Sequence, residues 1–406
     1  MPIEVRPGQE AEFSAYYAAV DTAFGGEDTT AAEIAAFHER VGDRFYVAAD
    51  GQAIVGGAAD LPFTLTVPGR EIAAAGVTGV GILPTHRRQG LLGRLMALEL
   101  DAIRSRGEAL AVLWASEGSI YQRFGYGLAT LNGSIELPRA RSAFRPPAER
   151  QGRLRLIERA EADRVLPAVF ERVRVTTPGA WARTAAWWKE ILDDPQKRRR
   201  GGGPKFVVLH ERDGAPDGYA IYRIQEDWDG SGPHDTLRVL ELIADGPVAT
   251  RELWRYLCDV DLVGTIAARL GPADHPLLHL LADPRALGLR IADGLWLRLV
   301  DLAAALEGRA YARAGRVVFE VRDAFRPDQA GRYLLEAGEG AARVTRTRAR
   351  ADLALDTSDL AAAYLGGTRF RSLAMVGRVL EQAPGAIERA DSLFHSAIPP
   401  WSPWLF

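Results

Sequence analysis

The chain has 406 residues, with 50 basic and 53 acidic side chains and a formal net charge of −3. Its hydrophobic fraction of 47% excludes a wholly disordered chain, and the charge balance excludes a nucleic-acid-binding surface spread over the whole protein. No apolar run approaches the ~20 residues of a membrane span, and the single cysteine, Cys258, excludes an intrachain disulfide. At ~150 residues per domain we expect two to three domains. We also expect a cytoplasmic location, which suits one thiol and no secretory signal.

The first part of the chain mixes strands and helices. In chain order the residues predict strands at Arg44–Ala49, Gln52–Ala58, Ile72–Ile82 and Ala109–Trp114, and one long helix at Gln89–Arg106. The helix carries Leu92, Met96, Leu100 and Ile103 on one stripe, and Gly107 is a natural stop. A strand, a turn and a long helix therefore follow one another between residues 72 and 106.

A second part with a similar order follows a polar connector. We interpret Pro138–Arg153, which is rich in arginine and proline, as a linker. Beyond it the pattern predicts strands at Leu154–Ile157, Lys205–Leu209, Tyr219–Glu226 and Leu237–Ala244, and helices at Glu161–Val175 and near Thr250–Cys258. The repeated order hints at a duplication at the level of secondary structure. The basic run Lys197–Arg200 lacks interleaved aromatics, so we interpret it as a solvated loop and expect no nucleic-acid partner.

The last part begins near Leu299. Here the pattern predicts helices at Asp301–Leu306, Thr357–Leu365 and Met375–Gln382, and strands at Gly315–Arg322, Gly331–Glu336 and Ala342–Thr347. The end of the chain, IPPWSPWLF over Ile398–Phe406, is rich in proline and aromatic residues. A tail this apolar is expected to be buried, and burial would hold the terminal carboxylate in a defined place.

The segment Val80–Gly93 (VGILPTHRRQGLLG) carries the clearest chemical signal in the chain. A strand stops at a proline, a basic turn with a glycine follows, and a helix begins. Backbone N–H groups in the first turn of such a helix converge on one spot, where the helix dipole adds positive potential, so the segment suits a pyrophosphate. Gly90 permits close approach, and Arg87 and Arg88 add charge. An ordinary strand-to-helix connection with a solvated arginine pair remains the alternative.

The arrangement R-x-x-G between a strand and a long helix resembles motif A of GNAT acetyltransferases. The family also carries an aromatic Y-x-x-x-G-[FY] stretch, which matches Tyr121–Tyr126 (YQRFGY) here. One departure is Leu92, where the family pattern has a small residue; Gly93 follows one place later. The runs THRRQGLLGRLM, SEGSIYQRFGYG, DGLWLRL and ALEGRAYA and the terminal phenylalanine resemble the enhanced intracellular survival (Eis) family over essentially the whole chain.

The resemblance implies an α+β chain of tandem GNAT domains followed by a sterol-carrier-protein-like domain. The expected ranges are 1–140 for the catalytic domain that binds acetyl-CoA, 141–298 for a degenerate GNAT domain, and 299–406 for the third domain, which supplies the terminal carboxylate. The second domain lacks R-x-x-G after its third candidate strand, as expected for lost coenzyme A binding. The resemblance also implies a homo-hexamer that acetylates amines, notably aminoglycosides at several positions, with acetyl-CoA as co-substrate and no metal.

The expected acetyl-CoA-binding residues lie on the strand end, the turn, the helix start and the loop after the next strand. They are Val80, Gly81, Ile82, Arg87, Arg88, Gln89, Gly90, Leu91, Leu92, Gly93, Ser116 and Glu117. A backbone N–H on the strand around Val80–Ile82 is the candidate that polarises the thioester carbonyl.

Amine acetylation also needs a base for the ammonium and an acid for the departing thiolate. The resemblance implies Tyr121 as the acid and the α-carboxylate of Phe406 as the base. The alternatives are a core or cofactor-packing role for Tyr121, with Tyr126 as a rival donor, and plain aromatic anchoring of the third domain by the tail. His275 and His279 are four apart, but Pro276 intervenes and no third ligand is near, so a metal site is not expected.

Substrate contacts are expected in and around a loop that follows Phe24. The candidates are Phe24, Glu27, Asp28 and Phe37, although an aromatic such as Phe37 on a helix face also suits the core. Gly26 and Leu405 stand where the family's best-known member has acidic substrate contacts, so Glu27 or Asp28 would compensate or specificity would differ. The alternatives are acetylation of protein lysine or small amines, a lipid- or ligand-binding module with a vestigial site, and a purely structural oligomer. We expect no membrane partner.

Overall fold

The computed structural model describes residues 2–26, 29–145, 149–229, 232–338 and 340–406. The chain divides into two compact units. The first comprises the chain up to Thr130, then Leu295–Ala397 and Phe406, and the second comprises Leu131–Gly294 and Ile398–Leu405.

The chain up to Thr130 forms a mixed sheet with helices on it. Its helices are α1 (Phe13–Ala23), α2 (Ala31–Val41) and α3 (Leu91–Ser105), and its strands are β1 (Glu4–Pro7), β2 (Phe45–Asp50), β3 (Ala53–Val67), β4 (Arg70–Ile82), β5 (Leu110–Trp114) and β6 (Gly127–Leu128). α2 begins with a capping box, because Thr30 and Glu33 bond to each other's backbone N–H groups. α3 buries Met96, Leu100 and Ile103 of the predicted stripe, and Leu91 and Leu95 beside them, whereas Leu92 is only partly buried.

The next part of the chain, to Gly294, repeats this plan. Its helices are α4 (Arg159–Arg174), α5 (Ala185–Leu192), α6 (Pro247–Asp259) and α7 (Leu277–Leu280). Its strands are β7 (Leu131–Pro138), β8 (Arg153–Ile157), β9 (Phe206–Arg212), β10 (Ala215–Gln225), β11 (Trp228–Asp229), β12 (Gly232–Pro233), β13 (Asp235–Ala244), β14 (Val263–Ala268) and β15 (Arg290–Asp293).

The last part of the chain contributes one strand to the first sheet and builds a smaller sheet of its own. Its strands are β16 (Leu295–Leu299), β17 (Gly315–Arg322), β18 (Gly331–Ala337), β19 (Ala342–Arg346), β20 (Leu353–Asp356) and β21 (Val379–Glu381). Its helices are α8 (Leu302–Glu307), α9 (Thr357–Tyr364), α10 (Phe370–Met375) and α11 (Ala386–Phe394).

The two large sheets have matching strand orders. The first runs β1-β2-β3-β4-β5-β16-β6, and the second, taken from its other edge, runs β8-β9-β10-β13-β14-β7-β15. The fourth and fifth strands are parallel in each sheet, β4 with β5 and β13 with β14. The smaller sheet runs β19-β18-β17-β20-β21. The duplication suggested by the order of elements is therefore visible in the sheet topology.

The sheets exchange one strand each. β7 follows the first sheet in the chain but pairs with β14 and β15 in the second sheet. β16 follows the second sheet but pairs with β5 and β6 in the first. This exchange is not predicted from the sequence, because strand pairing is not visible in the order of elements alone. The domain ranges 1–140, 141–298 and 299–406 stay predictions.

The predicted helix at Met375–Gln382 is wrong. α10 ends at Met375, and Gly377 has a positive φ of 76°, which a helix does not accommodate. β21 then adds to the edge of the smaller sheet, pairing Leu355 with Val379. No helix in the described part of the chain is long and apolar enough to cross a membrane.

Candidate active site

The turn before α3 is built around Gly90, the N-cap residue. Gly90 has a φ of 76° in the left-handed region and supplies no side-chain cap, and a Cβ atom placed there meets nothing within 4 Å. Arg94 donates its N–H to the Gly90 carbonyl at 3.2 Å. The N–H groups of Leu91, Leu92 and Gly93 precede it and have no acceptor within an α-helix. The helix therefore presents N–H groups and the positive end of its dipole to open space, which suits a phosphate.

The two arginines of this turn differ in their roles. Arg87 donates through Nε to the Ile82 carbonyl at 3.1 Å and through Nη2 to the Ala23 carbonyl at 3.1 Å. It thereby ties the turn to the end of β4 and to the end of α1. Arg88 has a positive φ of 62°, and both Arg88 and Gln89 are exposed. Arg88 is therefore the arginine better placed to supply charge, whereas Arg87 shapes the turn.

The sheet opens between its two parallel strands. The parallel pairing of β4 with β5 ends at Gly76 with Val112. Beyond that pair, β4 continues to Ile82 along β3, and β5 continues to Trp114 along β16. The two strands therefore follow different neighbours and leave a gap, and the predicted residues Val80, Gly81 and Ile82 lie on the β4 side of it.

A β-bulge reshapes β4 at this gap. The register with β3 shifts so that Gly79 and Val80 together oppose Ala58. Gly79 has a φ of 57°, and a Cβ atom there would lie 2.2 Å from the hydroxyl oxygen of Tyr16. That hydroxyl donates to the Gly79 carbonyl at 2.9 Å. The bulge therefore requires glycine, and the hydrogen bond from Tyr16 holds it in place.

Tyr121 begins a short 3-10 turn after β5. Its ring packs edge-on against Tyr126, with centroids 5.8 Å apart, and it contacts the apolar cluster that also receives Val80 and Leu92. Burial, together with the carboxylates of Glu99 and Glu117, raises the pKa of Tyr121 to about 12. The hydroxyl therefore carries its proton at neutral pH, as a general acid requires.

The neighbours of Tyr121 have different environments. Tyr126 is fully buried, and its hydroxyl has no hydrogen-bond partner among the described residues. Tyr126 is therefore a core residue. Ser116 and Glu117 are both exposed in the loop between β5 and the turn.

The last residue of the chain reaches β3. The ring of Phe406 packs against the ring of Phe63. The Phe63 ring covers Gly76, because a Cβ atom on that glycine would lie 2.3 Å from Phe63 Cε2. Phe406 is therefore held over the part of the sheet where β4 and β5 separate.

Tyr121 and Phe406 approach this opening from opposite faces of the sheet. Alternate strand residues point to opposite faces, and Gly76 lies on the face covered by Phe63. Its neighbours Ala75 and Val77 belong to the cluster against which Tyr121 packs. The ring of Tyr121 therefore lies on one face of the sheet, and the rings of Phe63 and Phe406 lie on the other.

Of the four predicted substrate residues, the structure describes two. Glu27 and Asp28 lie outside the described residues. Phe24 follows α1 and is 60% exposed. The Phe37 ring lies 5.8 Å from Phe13 and 5.7 Å from Tyr17, so it takes part in the packing of α1 with α2.

Two residues at this site, Tyr16 and Phe63, are not found by sequence reasoning. Tyr16 holds the bulge and Phe63 receives the terminal ring. An aromatic on an amphipathic helix or in a strand carries no signal beyond core packing. Among the described residues, no three His, Cys, Asp or Glu side chains come together as a metal site needs.

The second unit has other residues at the matching positions. Its fourth strand, β13, bulges at Leu240 against β10, and Glu241 follows, where the first unit has Gly81. α6 begins after Gly246, which has no side-chain cap, but Asp245 precedes it and is paired with Arg172 at 2.8 Å. An acidic residue at the helix start disfavours a phosphate, and a carboxylate follows the bulge. These residues differ from those of the candidate acetyl-CoA site in the first unit.

Comparison with known families identifies three regions of the chain. Residues 4–129 match an acetyltransferase (GNAT) domain, residues 179–299 match a second acetyltransferase (GNAT) domain, and residues 302–403 match a sterol carrier protein domain. The expectation of tandem GNAT domains followed by a sterol-carrier-like domain is confirmed.

Similar proteins cover nearly the whole chain. An uncharacterized N-acetyltransferase of Streptomyces avermitilis is 43% identical over 99% of both chains. The N-acetyltransferase Eis of Mycobacterium tuberculosis is 37% identical over 87% of this chain and 86% of its own. The crystal structure of Eis1 from Mycobacterium abscessus superposes with a TM-score of 0.85 and 36% identity, covering 99% of this chain and 100% of that one.

Proposed function

This chain belongs to the Eis family of GNAT N-acetyltransferases, and from that premise we propose that it transfers the acetyl group of acetyl-CoA to amino groups of small molecules, aminoglycosides among them, at several positions. In this proposal Tyr121 is the general acid and the α-carboxylate of Phe406 is the general base. The observation that carries it is the packing of Phe406 on Phe63 over Gly76, opposite the face that holds Tyr121.

The residues of the first sheet fit the co-substrate. The N–H groups of Leu91, Leu92 and Gly93 would hold the pyrophosphate, with Arg88 as the neighbouring charge. Gly90 leaves room for that approach, since nothing lies within 4 Å of its missing Cβ. The bulged stretch Val80–Ile82 would offer a backbone N–H to the thioester carbonyl.

The proposed reaction includes proton transfers at the acceptor amine and at the departing thiolate. The ammonium of the acceptor gives a proton to the Phe406 carboxylate, and the free amine nitrogen bonds to the thioester carbonyl carbon. As the carbon–sulfur bond breaks, the thiolate takes the hydroxyl proton of Tyr121, and the nitrogen gives up its second proton, which restores the Tyr121 hydroxyl and leaves an amide and free coenzyme A. The Phe406 carboxyl then releases its proton to water, so the enzyme returns to its starting state.

A polycationic acceptor needs acidic side chains near the amine that receives the acetyl group. Gly26 and Leu405 bear no charge, so acidic contacts to a polycationic aminoglycoside would come from Glu27 or Asp28. Protein lysine or a small monoamine remains the alternative acceptor.

Packing in the third domain disfavours a lipid-carrier role. Phe319, Phe370 and Phe394 are all at most 2% exposed and contact one another, with centroid separations of 5.0–5.9 Å. Tyr364 is fully buried in the same domain. These aromatic rings pack together in the interior of the domain, which disfavours an open apolar cavity there.

A panel of amines tests the function. Thiol release from acetyl-CoA is followed with several aminoglycosides, a lysine peptide and a small monoamine. Release with aminoglycosides supports the proposal, and release with only the lysine peptide or the monoamine shifts it to that acceptor class. Absence of both turnover and acetyl-CoA binding would overturn it. We include the homo-hexamer in the proposal, with sedimentation velocity as its test.

A further inference from the structure

The second unit holds a buried polar cluster at the position that corresponds to the strand opening of the first. We use the name Glu241 cluster for Arg183, Tyr219 and Glu241. Tyr219 donates its hydroxyl to Glu241 Oε1 at 2.6 Å, and Arg183 donates to the same oxygen at 3.0 Å and, through its other amino group, to Oε2. The side chains of Arg183 and Glu241 are each only 1% exposed. A carboxylate that accepts three hydrogen bonds has one well-defined orientation, and it fixes the guanidinium in turn.

Aromatic rings surround the guanidinium of this cluster. The Cζ atom of Arg183 lies 3.8 Å from the ring centroid of Phe170, 5.0 Å from that of Trp188 and 5.8 Å from that of Trp404. The first two rings belong to the body of the unit, whereas Trp404 belongs to the C-terminal segment. The ion pair thus presents an immobile cation to one aromatic residue of the tail.

The C-terminal segment makes further contacts in the same unit. Trp401 donates its backbone N–H to the Pro178 carbonyl at 2.8 Å. Trp401 and Trp404 both pack against the apolar cluster that contains Phe170 and Trp188. Ser402 between them is 1% exposed. The segment is therefore held at its backbone and at both indoles.

We propose that the Glu241 cluster and its aromatic surround form the anchor of the C-terminal segment, and that Arg183 and Glu241 are positioning residues for the α-carboxylate of Phe406. The positioning role rests on the proposed function of that carboxylate. The chain passes from the second unit to the first between Leu405 and Phe406. Only Leu405 separates the anchored indole of Trp404 from Phe406, so the anchor restricts the backbone that leads to the terminal carboxylate, in addition to the contact that the Phe406 ring makes with Phe63.

The duplicated topology explains why the anchor lies at this place. Glu241 occupies, after the bulge of β13, the site that Gly81 occupies after the bulge of β4. In the first unit this part of the strand belongs to the candidate acetyl-CoA site. In the second unit a carboxylate fills it and is paired with Arg183. The position that corresponds to the candidate acetyl-CoA site of the first unit thus holds the C-terminal segment in the second unit.

Two variants of the full-length protein test the proposal. Trp404→Leu removes the ring above the guanidinium and leaves the buried ion pair intact, and Glu241→Gln removes the charge that fixes Arg183. The matched control is Trp228→Leu, because Trp228 lies in the same unit and is 61% exposed. If Glu241→Gln fails to fold, Trp404→Leu alone decides the result. The readouts are hydrogen exchange of residues 398–406, kcat, and KM for acetyl-CoA.

We expect tail amides to exchange at least about tenfold faster in Trp404→Leu and Glu241→Gln, and kcat to fall by about tenfold or more with KM for acetyl-CoA within about twofold. The deficit in kcat should shrink as pH rises toward the pKa of the acceptor amine, since a deprotonated amine needs no base. A loss of activity through misfolding would not recover in this way. Trp228→Leu should match the unmodified chain in all readouts.

The outcomes separate this inference from the function on which it rests. Unchanged tail exchange in Trp404→Leu overturns the anchor, whatever the activity. Faster tail exchange with unchanged kcat overturns the positioning role. If a chain extended beyond Phe406 also keeps full turnover, the proposed base itself has failed, and the exchange data alone then decide whether the cluster is an anchor.

Discussion

The ring of Phe406 meets the ring of Phe63 edge-on, with centroids 4.7 Å apart and ring planes at 88°. The last residue of the chain is therefore held by its own side chain, and its α-carboxylate is attached to a ring of defined position. A pair of this kind contributes about 0.5–1.5 kcal/mol beyond the burial of the rings. It places the chain terminus within the unit that contains Tyr121.

We predict that one glycine added after Phe406 lowers kcat by about 10²-fold or more. The α-carboxylate becomes an amide, which cannot accept the ammonium proton, and the new carboxylate is displaced by about 3.8 Å. KM for acetyl-CoA should stay within about twofold, and the deficit should diminish at high pH. Steady-state kinetics against pH provide the measurement. Full turnover in the folded, extended chain would remove Phe406 from the role of base.

Tyr121→Phe should lower kcat by about 10²-fold with little change in acetyl-CoA affinity. The substitution keeps the ring that packs on Tyr126 and removes only the hydroxyl. The control is Tyr126→Phe, which should retain turnover because its hydroxyl is fully buried in the core. Kinetics and a binding isotherm for acetyl-CoA distinguish the two variants. Equal activity in both would assign the proton donor elsewhere.

Gly90→Ala should raise KM for acetyl-CoA by roughly tenfold. The added Cβ atom would occupy the open space through which a phosphate approaches the turn, and a loss of ~1.4 kcal/mol corresponds to tenfold in binding. The left-handed conformation separately costs an L-residue roughly 1–2 kcal/mol of stability. Gly107→Ala is the matched control, since Gly107 has a φ of 78°, against 76° at Gly90, and both have open space at Cβ. Both variants should lose similar stability in thermal unfolding. Only Gly90→Ala should change KM, and an equal change in both would argue against a phosphate site at this turn.

The buried Glu99 on α3 should make the first unit less stable at high pH. It is fully buried, neither carboxylate oxygen has a hydrogen-bond partner among the described residues, and burial together with Asp60 raises its pKa well above the ordinary value. The folded state therefore binds a proton that the unfolded state has released. Stability is full below the unfolded pKa and falls as pH rises toward the folded pKa, by up to ~1.4 kcal/mol per pH unit.

Glu99→Gln tests this by removing the titration. Hydrogen exchange of α3 amides from pH 5 to pH 9 should show a pH-dependent loss of protection in the unmodified chain and a smaller loss in the variant, after correction for intrinsic exchange rates. Glu39→Gln, on the exposed side of α2, should leave the pH dependence as it was. Parallel curves for Glu99→Gln and the unmodified chain would show that Glu99 is ionised in the folded protein.

Cys258 should react with a disulfide reagent only after unfolding. Burial raises the pKa of the Cys258 thiol to about 12, and the thiolate is the reactive species. The native protein should release about one equivalent of chromophore only when denaturant is added. Rapid reaction of the native protein would contradict this burial. An unreactive Cys258 also keeps thiol-release assays of turnover free of a protein background.

Sequence reasoning finds the parts of the site that belong to a continuous motif. The turn before α3 and Tyr121 each lie in a short run of residues with recognisable spacing, so they could be identified without coordinates. Phe63 and Tyr16 could not, because their roles depend on contacts with Phe406 and Gly79, far along the chain. The Glu241 cluster was missed for the same reason, since Arg183 and Glu241 are brought together only by folding.

Sequence reasoning also predicts only part of the secondary structure. Most strands and the long helix α3 follow from hydrophobic periodicity and turn residues. The sequence pattern does not predict α1, α2, α5, α7, α10 or α11. The helix that it predicts at Met375–Gln382 is wrong, because local pattern does not report the edge-strand pairing that β21 makes with β20. Register and strand exchange depend on tertiary partners, which periodicity does not report.

The exchange of β7 and β16 has a consequence for biosynthesis. The first sheet lacks a strand until β16 emerges, and about 160 residues of chain separate Thr130 from Leu295. Because synthesis proceeds at about 5–20 residues per second, the edge of β5 stays unpaired for roughly 10–30 s before β16 is made. An uncovered edge invites pairing with other chains. Because of this exchange, neither repeat, β1–β7 or β8–β16, contains all the strands of one sheet.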